Sequence, residues 1–127
     1  MQPAPLRIAF LPLALLLAVP AAAQWSTALL TTARQGLSAA TVGDLALFAG
    51  GRANLTTSPV VDIYDRATGT WTTATLSVPR SDFAATTIGP YALFAGGAID
   101  GFTEAAVVDV FDSRTRTWST TTLSQAR

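Results

Sequence analysis

The chain has 127 residues, half of them hydrophobic, with eight arginines, no lysine and eight acidic groups. That near balance gives no electrostatic reason to expect nucleic acid or an anionic membrane surface as a partner. Cysteine and histidine are both absent, which excludes disulfide staples, thiolate chemistry and the commonest general base.

Met1 to Ala23 reads as a secretory signal peptide. Arg7 precedes an apolar run from Ile8 to Val19, and Ala21-Ala22-Ala23 offers the small residues a signal peptidase needs. The run is 12 residues long and contains Pro12, well short of the roughly 20 that span a bilayer. Cleavage near Ala23–Gln24 is expected, leaving residues 24–127 secreted and extracytoplasmic, with no membrane anchor. Seven basic groups then face eight acidic ones, a net charge of −1.

Trp25 to Leu30 is predicted as a strand, rich in β-branched and apolar residues. Leu37–Val42 and Leu45–Ala49 follow as two strands joined at Gly43-Asp44, a short turn suited to a hairpin. Leu45–Ala49 and its counterpart Tyr91–Ala95 are apolar at every position, which predicts burial on both faces. Gly50-Gly51 and Gly96-Gly97 end these strands and allow positive φ and close backbone approach. No helix-forming segment and no Lys-Ser/Thr pair follows them, so they are turns and not phosphate cradles. Arg52–Pro59 and Ala98–Ala106 are expected loops, and Val60–Asp65 and Val107–Asp112 expected strands. Asp65 and Asp112 open the next turns, where an aspartate carboxylate accepts hydrogen bonds from the N–H groups ahead of it.

Ala46-Leu-Phe-Ala-Gly-Gly51 returns unchanged as Ala92-Leu-Phe-Ala-Gly-Gly97. Over Arg34–Gly51 and Arg80–Gly97, ten of 18 positions are identical. The offset grows from 46 to 47 by Val60–Asp65 and Val107–Asp112, so the loop after Gly97 is one residue longer. Trp25, Trp71 and Trp118 each stand nine residues before an arginine, Arg34, Arg80 or Arg127. Self-similarity at a period in the forties signals a repeat architecture. An apolar strand ending in Gly-Gly, then Tyr/Phe-Asp, then Trp about six residues later resembles the kelch motif, and the resemblance covers Trp25 to Arg127.

It implies an all-β fold of four-stranded antiparallel propeller blades: an outer strand at 25–30, one blade at 34–76 and another at 80–123. Rings typically use 4 to 8 blades, so two make an incomplete ring. The expectations are a fragment of a longer propeller, a homo-oligomer, or a marginal two-blade piece. The phased Arg34, Arg80 and Arg127 and the matched Asp62 and Asp109 are assigned to the fold, because each recurs.

Positions where the repeats disagree are the expected binding residues: Arg52, Asn54, Thr56 and Thr57 in the first loop, Asp100, Phe102 and Glu104 in the second. Phe102 has no counterpart in the other repeat. An exposed aromatic beside carboxylates stacks on a sugar or anchors a protein; the alternative is a side chain folded back on its own blade. Asn54-Leu55-Thr56 is a glycosylation acceptor triplet.

No catalytic residues, cofactor or metal are expected. Serine or threonine nucleophiles lack an activating base, and Asp100 with Glu104 in one loop is weak support for glycoside cleavage. The resemblance also extends to propellers of copper oxidases like galactose oxidase, whose Cys and His ligands are missing here. A protein-interaction module is the first expectation, and a carbohydrate-binding or oxidase-associated propeller portion the second.

Overall fold

A computed structural model describes residues 1–4 and 25–127. The expected signal peptide falls mainly outside the described residues. Between Ser38 and Thr122 the chain forms ten strands, with no helix among the described residues. The first sheet contains β1 (Ser38–Val42), β2 (Leu45–Ala49), β5 (Val60–Asp65) and β6 (Thr70–Thr75), in spatial order β1-β2-β5-β6. The second contains β7 (Ala84–Ile88), β8 (Tyr91–Ala95), β9 (Val107–Asp112) and β10 (Thr117–Thr122), paired in sequence order. All pairings are antiparallel. A short hairpin of β3 (Arg52–Ala53) and β4 (Thr56–Thr57) interrupts the first unit.

The registers repeat as the sequence does: Phe48 pairs with Asp62 and Phe94 with Asp109, Tyr64 with Trp71 and Phe111 with Trp118. Trp71 lies 5.9 Å from Phe48 and 5.1 Å from Tyr64 between ring centroids; Trp118 lies 6.0 Å from Phe94 and 5.0 Å from Phe111. Aromatic pairs at such spacings add to the area they bury.

Each sheet is also stapled by one buried ion pair. The Arg34 guanidinium donates to Asp62 at 2.8 Å and to the carbonyls of Phe48 and Gly50; that of Arg80 donates to Asp109 at 2.7 Å and to the carbonyls of Phe94 and Val78. The other oxygen of each aspartate accepts a backbone N–H, from Thr31 or Ser77. Burial pushes the Asp62 carboxyl up, but the Thr31 N–H and the Arg34 guanidinium together hold it below its ordinary 3.8. The assignment of these residues to the fold is therefore met by their geometry.

The two sheets pack face to face. Leu45, Leu47, Ala49, Val61 and Ile63 of the first and Ala92, Phe94 and Phe111 of the second share one core with Phe83 between them. The Gly50-Gly51 pair makes the close approach possible. Gly50 (φ 62°) has the Arg80 carbonyl and the Phe83 ring where a Cβ would stand, and the Gly51 N–H donates to the Arg80 carbonyl at 3.0 Å. Gly96 and Gly97 meet the Arg127 carbonyl in the same way. Arg116 reaches across to Asp65 at 2.6 Å, and Thr87 Oγ1 donates to the Thr41 carbonyl at 2.9 Å.

Three expectations are corrected. Trp25–Leu30 lies outside every sheet, and Trp25 and Leu29 are almost fully exposed; its repeat counterparts β6 and β10 pair with β5 and β9, and no such partner strand lies beside this segment among the described residues. β2 and β8 are not buried on both faces, since Ala46 and Phe48 stay half-buried and Tyr91 is exposed. Among the described residues each sheet has one neighbouring sheet, so one face of each has no sheet against it. Finally, the Arg52–Pro59 loop holds the β3–β4 hairpin.

Candidate functional site

Gly50-Gly51 turns the chain out of β2 into β3, and the left-handed Asn54 (φ 49°) starts the two-residue turn to β4. Asn and Gly tolerate this conformation best. Leu55 at the tip is 97 % exposed. Gln35 clamps the base of the hairpin by exchanging two backbone hydrogen bonds with Arg52, at 3.0 and 2.7 Å.

The second loop is shaped by Asp100. One of its carboxylate oxygens accepts the N–H groups of Phe102 at 2.9 Å and Thr103 at 2.7 Å, and the other accepts the Thr103 hydroxyl at 3.0 Å. Those three bonds, led by the Phe102 N–H, hold its carboxyl below the usual carboxylate range. Asp100 is thus a cap within its own loop and, with its carboxyl held low, a poor proton donor. Glu104 is exposed, and its backbone bridges Ala98. Phe102, held at the apex by the Asp100 cap, is 97 % exposed and does not fold back onto its sheet.

The structure brings the two loops together. Thr57 Oγ1 donates to the Ile99 carbonyl at 2.6 Å, and the Arg52 guanidinium comes within 3.5 Å of the position a Cβ on Gly101 would take. Arg52 is held in place by Ser81, which accepts from its Nε at 2.9 Å, and by Asp82 at 3.6 Å. Beside it opens a shallow cavity of about 370 Å³ lined by Ala33, Arg34, Gln35, Arg52 and Asn54. The rim therefore joins Arg52, Asn54, Thr56, Thr57 and Phe102, with Glu104 exposed on the second loop.

Sequence reasoning missed Leu55, Gln35 and Ser81. Leu55 is the middle residue of the Asn54-Leu55-Thr56 triplet, and the loop's sequence carries no strand pattern that would mark it as a hairpin tip. Gln35 and Ser81 occupy matched positions and act through contacts with Arg52 that the sequence does not encode locally. Among the described residues no group of three or more His, Cys, Asp or Glu side chains is placed to hold a metal. Comparison with protein-family models and with curated proteins finds no significant match.

Proposed function

We propose that this chain is a secreted kelch-type propeller segment that binds a protein partner through the rim formed by the β3–β4 hairpin and the Ala98–Ala106 loop. The observation that carries the reading is that Leu55 and Phe102 are each 97 % exposed on two loops that hydrogen bonds shape and join. A solvent-exposed phenyl group costs stability nothing to lose, and rigid aromatic anchors in interfaces carry much of the binding energy. Arg52, held in place beside them, supplies a directed cation.

The kelch reading is supported by the two matched four-stranded sheets, by Gly pairs that admit the next segment's carbonyl, and by the Trp–aromatic contacts repeated in both. Catalysis is not part of the proposal, and the Asp100 carboxylate takes three hydrogen bonds from its own loop. A carbohydrate ligand is the second reading, favoured by the cavity beside Arg52, Gln35 and Asn54, whose hydrogen-bonding groups suit sugar hydroxyls. Asn54 is exposed, so its triplet is sterically open to glycosylation.

The test is to use the purified chain as bait on extracellular protein and glycan arrays, alongside Phe102→Ala and Leu55→Ala. Hits lost by at least tenfold in both variants, about 1.4 kcal/mol or more each, support the rim. Hits that both variants retain place binding elsewhere. Hits confined to glycans favour the second reading.

A further inference from the structure

The internal repeat lets one junction serve as the template for another. Val42, Leu45, Leu47 and Ile63, on the covered face of the first sheet, are no more than 6 % exposed. Their counterparts on the second sheet are Ile88 at 68 %, Tyr91 at 36 %, and half-buried Leu93 and Val110. Leu76 is 4 % exposed, whereas the matching Leu123 is only half-buried. The second sheet thus carries an apolar face of the same pattern on which, among the described residues, no further sheet packs; of this face only Val108, the counterpart of Val61, is as well buried as its match, at 4 %.

At its edge lies a groove of about 350 Å³ lined by residues that include Phe83, Ala95, Gly97, Leu123 and Arg127. One repeat earlier the matching positions are Leu37, Ala49, Gly51, Leu76 and Arg80, and there the space is taken by Phe83, whose ring comes to 2.5 Å from the Cβ position of Gly50. The groove is continuous with that established junction, since Phe83 belongs to both. The complementary surface is the uncovered face of the first sheet: Ala39, Thr41, Ala46, Phe48, Tyr64 and Trp71. Its counterparts Ala85, Thr87, Ala92, Phe94, Phe111 and Trp118 are the residues that the second sheet presents toward the first.

We propose that the uncovered face of the second sheet receives the uncovered first-sheet face of a second copy of this chain, in the geometry by which the two sheets of one chain already pack. Leu37 of the incoming copy, three residues after Arg34 as Phe83 is after Arg80, enters the groove. Thr41 Oγ1 donates to the Thr87 carbonyl of the receiving copy, as Thr87 Oγ1 now donates to that of Thr41. Ser124–Arg127 of the receiving copy and Thr31–Arg34 of the incoming one are repeat-equivalent and compete for the same position. One segment displaces the other with its hydrogen bonds conserved in kind. The Arg116–Asp65 ion pair has no counterpart, because Gly69 stands where Arg116 would be needed. The contact between copies is therefore weaker than the one within a chain, and depends on concentration.

The interface is heterologous, joining two different faces, and this gives a specific test with residues 24–127. Sedimentation equilibrium is run on the parent chain, on Ile88→Arg and on Ala39→Arg. Both positions are exposed in a single copy, so folding is preserved, and near-ultraviolet circular dichroism checks it. The parent is expected to self-associate. Each variant is expected to do so about 100-fold more weakly, because an arginine is driven into an apolar contact. An equimolar mixture of the variants is expected to form a one-to-one dimer and nothing larger, since each retains the face the other has lost. A parent chain that stays monomeric to about 1 mM, the affinity worth about 4 kcal/mol, overturns the proposal. So does a variant that associates as the parent does, or a mixture that stays monomeric.

Discussion

Replacing Gly50 by alanine puts a methyl group where two segments already touch. Gly50 has φ 62°, and a Cβ there would stand 2.5 Å from both the Arg80 carbonyl oxygen and the Phe83 ring. Holding a non-glycine residue in the left-handed region costs about 1–2 kcal/mol. Forcing the overlap apart adds about 1–3 kcal/mol, because a backbone carbonyl and a buried ring must both shift. The expected total is about 2–5 kcal/mol, a large share of the roughly 5–15 kcal/mol that holds a domain folded. Gly43→Ala is the control. Gly43 has nearly the same φ, 58°, but nothing lies within 4 Å of its Cβ position, so only the conformational cost of about 1–2 kcal/mol applies. Urea unfolding followed by tryptophan fluorescence reads both; at an m of about 1.5 kcal/mol/M the Gly50→Ala midpoint falls by roughly 2 M. Equal losses in the two variants would refute the close approach of the sheets at Gly50.

Arg80→Ala is expected to cost about 3–5 kcal/mol in the same assay, because it strands the buried Asp109 carboxylate; a loss under about 1 kcal/mol, typical of an exposed pair, would contradict its burial. Stability is also expected to fall on acidification. The Asp112 carboxyl is held down to about 2, chiefly by the Arg114 guanidinium, and Asp65 is lowered chiefly by Arg116. Both are depressed from 3.8, so between the two values the unfolded chain binds more protons than the folded one. Their stabilisation is complete above about pH 4 to 5 and is lost as pH falls through each depressed value, about 2 for Asp112; a urea midpoint that rises as pH falls below about 4 would be the wrong sign. Asp100→Ala should leave the global midpoint within about 0.5 kcal/mol, as surface changes usually do, while hydrogen exchange of the Phe102 and Thr103 amides accelerates.

Much of the sheet structure could be read from the repeat, because identical residues recur at matched offsets and meet matched neighbours. The turn role of Asp65 and Asp112 was readable for the same reason: Asp65 accepts the Ala67 N–H and Asp112 the Arg114 N–H, each at 2.9 Å. Burial was harder to foresee. Leu45–Ala49 and Tyr91–Ala95 have nearly the same letters, but Leu47 is fully buried and Leu93 is not. The difference comes from which face has a neighbour, a fact of assembly and not of local pattern. Trp25–Leu30 has strand composition yet no strand, since a strand needs a partner edge as well as a propensity. In the rim, variable positions pointed to Arg52, Asn54 and Phe102. The capping role of Asp100 was hidden because it lies in the loop where the repeats diverge, so no matched aspartate points to it.

The contact between the two sheets is tested most directly by nuclear Overhauser effects in the isotopically labelled chain. The arrangement described here predicts cross-peaks from the Phe83 ring to the Gly50 α-protons and from the Thr87 side chain to residues around Thr41. Cross-strand peaks within each sheet, with neither of these between the sheets, would contradict it.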